Sequence, residues 1–200
     1  MLLVWDNCNV GGKVKEINLF NASLKSNLEN LSISSFQDLT ILYLSSNASR
    51  GTVPTHIGSL TKLIILDLSM NKFFGAASFT WKPDKVNYNL TTLYIHRNNI
   101  SGSIPQVIGN SNNLIDLGMS YKLLSSSIPS TLGNLTKLVT FLRNLINLKV
   151  SSNLLTSSIP PTIGNLTKLT NLYIHRNNIS GSIPQEMGNL NKLILLGDVI

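Results

Sequence analysis

The stretch Leu93 to Gln106, LYIHRNNISGSIPQ, recurs letter for letter at Leu172 to Gln185. Around both copies runs one skeleton, L-x-x-L-x-L-x-x-N-x-L-x-G-x-I-P-x-x-L-G-x-L-x-x, with a basic period of 24 residues. A fixed period of this length specifies a solenoid, because one unit is too small to bury its own apolar face and must stack on its neighbours. Taking the first leucine of a unit as position 1, the units start at Val14, Leu39, Leu63, Leu90, Leu114, Leu145, Leu169 and Leu193. The step from Leu114 to Leu145 exceeds the period by seven residues, and the surplus is Leu138 to Asn144.

Positions 3 to 7 alternate in polarity, which predicts a short strand. Leu93 and Ile95 face inward, while Thr92, Tyr94 and His96 face outward. Stacked units place these strands side by side in a parallel sheet. The asparagine at position 9 appears as Asn47, Asn71, Asn98, Asn153 and Asn177. A polar side chain at one fixed phase of a buried coil needs partners, so these five are expected to form a ladder bonded to the backbone of adjacent coils. Gly102 and Gly181 permit turns, and Pro105, Pro129, Pro160 and Pro184 punctuate the return path. Apolar residues at positions 1, 4, 6, 11, 15, 19 and 22 fill the interior. Two departures mark weak points. Lys122 stands where the ladder asparagine belongs and is expected to leave a gap, with Ser126 in place of the turn glycine. After Gly75 the pattern is lost in AASFTWKPDK, so that return segment is expected to bulge or be disordered. The surplus at 138–144 is expected to kink the solenoid between the units starting at Leu114 and Leu145.

Composition narrows the function classes. A chain of 200 residues with 42% hydrophobic and 12% charged residues suits one packed domain and excludes a disordered one. No apolar run reaches the ~20 residues needed to span a membrane, and the start MLLVWDN lacks the marks of a signal peptide. The net charge is +7, but the basic residues are dispersed. Lys62, Lys137, Lys168 and Lys192 share position 24 and so one rim. They suit a solvated ridge that discourages edge pairing better than a polyanion site. No dense basic face with interleaved aromatics points to nucleic acid. His96 and His175 lie at least three coils apart, ~14 Å, and His56 falls on the return side. No metal site is therefore expected. No nucleophile, base and acid share a coil neighbourhood, and no phosphate loop is visible. We therefore expect neither an enzyme nor a cofactor.

The unit at residues 90–113, with Ile100-Ser101-Gly102-Ser103-Ile104-Pro105, resembles the plant-specific leucine-rich repeat. The resemblance covers residues 14–200 and is closest to ectodomains of leucine-rich-repeat receptor-like kinases and receptor-like proteins. It implies an α/β, right-handed leucine-rich-repeat solenoid with a parallel concave β-sheet and short 3-10 or irregular convex segments. Residues 1–13, with Trp5 and Cys8, resemble the remnant of an N-terminal cap. Residues 14–192 form about seven coils, irregular at 76–89 and 138–144, and 193–200 begin a final truncated coil. In the family the cap carries paired cysteines, so Cys8 is a disulfide partner without its mate. Together with the start and the stop inside a coil, this suggests a piece of a longer receptor gene or a truncated paralogue.

The resemblance implies a non-catalytic module that binds a secreted peptide or protein, with a possible co-receptor. Its parent would be an extracellular, plasma-membrane-associated receptor whose kinase domain, if it has one, lies outside this chain. An alternative is an apoplastic inhibitor similar to the polygalacturonase-inhibiting proteins, or a fragment with no role of its own. On the concave face the candidate ligand-binding residues are Tyr94, His96, Arg97, Tyr121, Lys149, Tyr173, His175 and Arg176. Tyrosine and arginine are the usual interface anchors, and Arg97 with Arg176 could grip a peptide carboxylate. N-x-S/T sequons make Asn21, Asn30, Asn89, Asn99, Asn134, Asn165 and Asn178 candidates for glycosylation. Asn47 also heads a sequon, but its ladder position should bury it.

Overall fold

The computed structural model describes residues 7–8, 13–25, 27–30, 35–77, 89–121, 123–136 and 145–196, with the side chains of 7, 8, 30, 55 and 56 left aside. Strands are numbered in chain order. A nine-stranded sheet runs β1 (Asn7–Cys8), β2 (Val14–Asn18), β3 (Ile41–Tyr43), β5 (Ile65–Asp67), β7 (Thr92–Tyr94), β9 (Asp116–Gly118), β11 (Asn147–Lys149), β13 (Asn171–Tyr173) and β14 (Leu195–Leu196). From β2 onward each strand pairs in parallel with the same position of the next coil. β1 is antiparallel to β2, Asn7 opposite Glu16. The return path closes in 3-10 turns at Thr55–Ser59, Gln106–Asn110, Ser130–Asn134, Pro161–Asn165 and Gln185–Asn189, each preceded by Pro54, Pro105, Pro129, Pro160 or Pro184 in extended geometry. Proline presets φ for such an entry and loses nothing by lacking an N–H there.

The interior follows the repeat. In the coil from Leu145, the residues Leu145, Leu148, Val150, Leu155, Ile159, Ile163 and Leu166 are all buried. The asparagines knit the coils. Asn71 Nδ2 donates to the carbonyls of Leu44, Leu68 and Ser69, and its Oδ1 accepts the Ser49 N–H. Asn98 donates to Leu68, Ile95 and His96 and accepts Phe73 N–H. Asn153 and Asn177 repeat the pattern, so the Val150 carbonyl is shared by two asparagines. Asn47 does the same but is half-buried rather than buried. What blocks its amide is three carbonyls, those of Leu19, Leu44 and Ser45.

Several expectations need correcting. The outer flank carries a second parallel sheet, ordered β12 (Leu154–Leu155), β10 (Leu123–Ser126), β8 (Asn99–Ser103), β6 (Lys72–Ala76) and β4 (Arg50–Thr52). Irregularity after Gly75 was expected to begin at residue 76, but Ala76 is the last residue of β6 and pairs with Ser101. Phe73, fully buried, anchors that strand from inside. Residues 78–88 lie outside the described residues, as does Lys122. The kink is not there: β11 pairs with β9 in register, Asn147 opposite Asp116, and Asn153 bonds back to Met119. The surplus precedes Leu145, so the strand and its ladder asparagine keep their phase; residues 137–144 themselves lie outside the described residues. Position 7, read as outward-facing at His96, is buried where it is serine, at Ser45, Ser69, Ser120 and Ser151. A hydroxymethyl group is too short to emerge between neighbouring coils, and Ser69 Oγ instead donates to Asp67 while Ser151 Oγ donates to Ser120.

The glycines at repeat position 13, Gly51, Gly75, Gly102 and Gly181, have φ between 85° and 93°, while Ser126 and Ser157 hold φ of 69° and 66° at the same position. A Cβ in left-handed geometry costs roughly 1 kcal/mol. Ser126→Gly and Ser157→Gly should each raise unfolding free energy by about 0.5–1 kcal/mol, the relief of strain being partly offset by the added freedom of the unfolded chain. A urea melt measures it, and a loss of stability would refute the strain argument.

Candidate functional site on the inner sheet

On the inner sheet, positions 5, 7 and 8 of consecutive coils supply the side chains that face outward. Position 8 is left-handed in coil after coil: Asn21, Ser46, Met70, Arg97, Tyr121, Ser152 and Arg176 have φ from 51° to 57°. None is glycine. The geometry is held because the N–H at this position reaches the next coil, Arg97 to Ser120 O and Tyr121 to Ser151 O. This turn brings Arg97 and Tyr121 together at the edge of the sheet, the guanidinium carbon 5.3 Å from the ring centre.

Position 5 runs Tyr94, Gly118, Lys149, Tyr173 across coils four to seven. Gly118 is the anomaly. A Cβ there would stand 2.8 Å from Tyr94 Cδ1, so the missing side chain lets Tyr94 lean over it. It also lets Lys149 reach across, placing its ammonium 6.0 Å from the Tyr94 ring centre. Tyr94 and His96 meet edge to face at 5.8 Å, and Tyr173 and His175 at 6.4 Å. The result is a depression of ≈ 350 Å³ lined by Tyr94, His96, Arg97, Gly118, Ser120, Tyr121, Lys149, Ser151, Tyr173 and His175.

Seven of the eight residues chosen from the sequence line this depression; Arg176 is exposed and is not among its walls. Gly118, Ser120 and Ser151, its floor, were missed as site residues. The available signal was the row itself, in which a glycine interrupts a run of large polar side chains. Asp116, two residues before Gly118, accepts Asn147 Nδ2 through Oδ2 at 2.8 Å. Asn147 Oδ1 in turn accepts Asn171 Nδ2.

Burial, then the charge of Asp116 and hydrogen bonding to it, push the Tyr94 hydroxyl well above the ordinary tyrosine range. Neutral Tyr94 therefore contributes stability that is fully present below the unfolded value of about 10 and lost as pH rises beyond it. Tyr94→Phe should flatten that alkaline decline in urea melts taken on either side of about pH 10; an identical decline in both proteins would contradict the assignment.

Exposed asparagines at sequons are Asn21, Asn89, Asn99, Asn134, Asn165 and Asn178, with Asn134 and Asn165 closing 3-10 turns. Among the described residues no three His, Cys, Asp or Glu side chains converge as a metal site, and no helix is long and apolar enough to cross a membrane.

The model of the leucine-rich repeat matches residues 89–111, 144–166 and 168–190. The chain carries leucine-rich repeats. It is homologous to plant receptor-like proteins: receptor-like protein 32 of Arabidopsis thaliana is 34% identical over 111 residues, covering 52% of this chain and 12% of that protein. The chain thus spans about an eighth of that relative's length. Among solved structures, the Arabidopsis receptor kinase HAESA, in complex with the peptide hormone IDA and the co-receptor SERK1, superposes with a TM-score of 0.73 at 31% identity, over 84% of this chain and 26% of that one. The plant peptide hormone receptor RGFR1, in complex with RGF2, gives 0.70 at 29%, over 96% and 36%. The fold is the leucine-rich-repeat solenoid, and the nine-stranded sheet is its concave face.

Proposed function

We propose that this chain is a ligand-binding segment of an extracellular plant receptor, and that its concave face recognises a secreted peptide or protein. The observation that carries the reading is the convergence of three tyrosines, two histidines, Lys149 and Arg97 around one depression on that face. Aromatic and arginine side chains are the commonest energetic anchors of protein interfaces. The homology to receptor-like proteins, and the peptide hormones bound by two structural neighbours, support the same reading. Arg176 belongs to the proposed surface as an outlying contact for a ligand long enough to leave the depression. A co-receptor would meet the complex beside the ligand, and sugars on the sequon asparagines would shield the remaining surface.

The test is selection of a displayed library of extended peptides on the secreted protein, followed by calorimetric titration of the peptides recovered. Arg97→Ala should weaken binding by about tenfold or more, and Arg176→Ala by less, as expected for central and peripheral contacts. Failure to recover any peptide, or equal affinity for the wild type and both variants, would overturn the proposal.

A further inference from the structure

Phe73 and Phe74 are neighbours on β6 with opposite surroundings. Phe73 is fully buried, whereas Phe74, on the outer face of the second sheet, is 49% exposed. Phe74 stands opposite Thr52 of β4 on one side and Asn99 of β8 on the other. Residues opposite one another in adjacent strands are about 4.8 Å apart. Ile100 is buried and Asn99 exposed, so the ring of Phe74 and the side chain of Asn99 rise from the same face. The other apolar residues half-exposed on this sheet, Leu123 and Leu154, stand opposite Ser101 and Ser125.

Asn99 heads the sequon Asn99-Ile100-Ser101, and the second copy of the identical stretch carries the same sequon at Asn178-Ile179-Ser180. Asn178 is exposed as well. Its N–H donates to the Leu155 carbonyl, and the Ser180 N–H donates to the Ser157 carbonyl. These bonds set Thr156 opposite Asn178, where Phe74 stands opposite Asn99. The two acceptor sites thus share their sequence and differ in the residue beside the asparagine. A pyranose has a face made of C–H groups. An N-acetylglucosamine laid flat on Phe74 would take apolar surface of both partners out of water and set its C–H groups against the ring face. Because the sugar is tethered next to the ring, its effective concentration there is high.

We propose that Asn99 carries an N-linked glycan whose first N-acetylglucosamine packs on the ring of Phe74, while the glycan on Asn178 stands free of the surface. The inference rests on the extracellular reading, since the linkage is made on chains that enter the secretory pathway. There Asn99 Nδ2 loses a proton and displaces a lipid diphosphate from C1 of the donor oligosaccharide, one C–N bond forming as one C–O bond breaks. Phe74 is then a platform that the sugar covers, and the sugar becomes part of the outer sheet.

The test uses the full chain secreted from plant cells and trimmed by an endoglycosidase to one N-acetylglucosamine at each occupied site. Glycopeptide mass spectrometry should find sugar on Asn99. In proton NMR the Asn99-linked sugar should show upfield ring-current shifts that the Asn178-linked sugar lacks. Phe74→Thr should remove those shifts, and Thr156→Phe should create them at Asn178. Asn99→Gln, which deletes the sugar, should lower the melting temperature by about 2–4 °C, as loss of one aromatic contact does in a domain of this size. In the Phe74→Thr background the same change should cost about 1 °C or less. An unoccupied Asn99, the same sugar shifts with and without Phe74, or equal melting losses in both backgrounds overturns the inference. The peptide selection on the concave face is an independent readout: peptides that bind while the Asn99 sugar ignores Phe74 leave the receptor reading standing and remove only this contact.

Discussion

Asn153→Ala should lower the unfolding free energy by about 4 kcal/mol, from the desolvation of the backbone groups it leaves bare. Asn153 is buried, and one side chain serves four backbone groups. Its Nδ2 donates to the carbonyls of Met119, Val150 and Ser151, and its Oδ1 accepts the Leu124 N–H. The Val150 carbonyl keeps Asn177 and the Ser151 carbonyl keeps the Tyr121 N–H after the change. Leu124 N–H and Met119 O instead face a void. A buried backbone group without a partner costs roughly 1–3 kcal/mol, and two of them with the cavity account for the expected loss. Asn47→Ala is the comparison. That side chain is half-buried, so water can replace part of what it supplies, and the loss should be about half as large. Urea melts of the two variants measure the difference. Equal losses would show that burial does not set the value of a rung.

Periodicity made the inner sheet, the core and the ladder legible, because each is set by residue type at a fixed phase. The second sheet was hidden for a physical reason. Its strands contain Ser101-Gly102-Ser103 and Ser125-Ser126, residues of poor strand propensity, and they are extended because stacked coils bring their backbones into register. The identical stretches show the limit most sharply. Arg97 and Arg176 have the same neighbours in sequence, yet only Arg97 has a tyrosine from the next coil beneath it and lines the depression. Ile104 and Ile183 are likewise the same residue in the same motif, and one is 1% exposed and the other 68%. In a solenoid the environment of a residue comes from the adjacent coils, so a motif repeated within the chain does not repeat its surroundings. Gly118 was missed because it acts by an absence, and absences have meaning only once the neighbouring row is in place.

The same dependence on the adjacent coil gives the second large effect. Gly133 and Gly188 occupy one repeat position, in the 3-10 turns Ser130–Asn134 and Gln185–Asn189. A Cβ on Gly133 would fall 2.3 Å from the Thr162 carbonyl oxygen and 2.6 Å from Thr162 Cβ, whereas one on Gly188 would meet nothing within 4 Å. The Gly133 contact is with backbone on both sides, so no rotamer change relieves it. The turns must separate, which strains the bond that Thr162 Oγ1 donates to the Ser130 carbonyl at 2.8 Å and opens the packing of Leu132 and Ile163 beneath. Gly133→Ala should therefore cost about 3 kcal/mol, the upper range for overpacking a close contact. Gly188→Ala, in the same motif, should change stability by no more than about 0.5 kcal/mol. Because the two substitutions are chemically identical, intrinsic propensity cancels between them and the difference isolates the contact between coils. Equal effects in thermal or urea melts would mean that the turns can slide apart freely, and that close stacking of the convex edge is not what fixes the spacing of the coils.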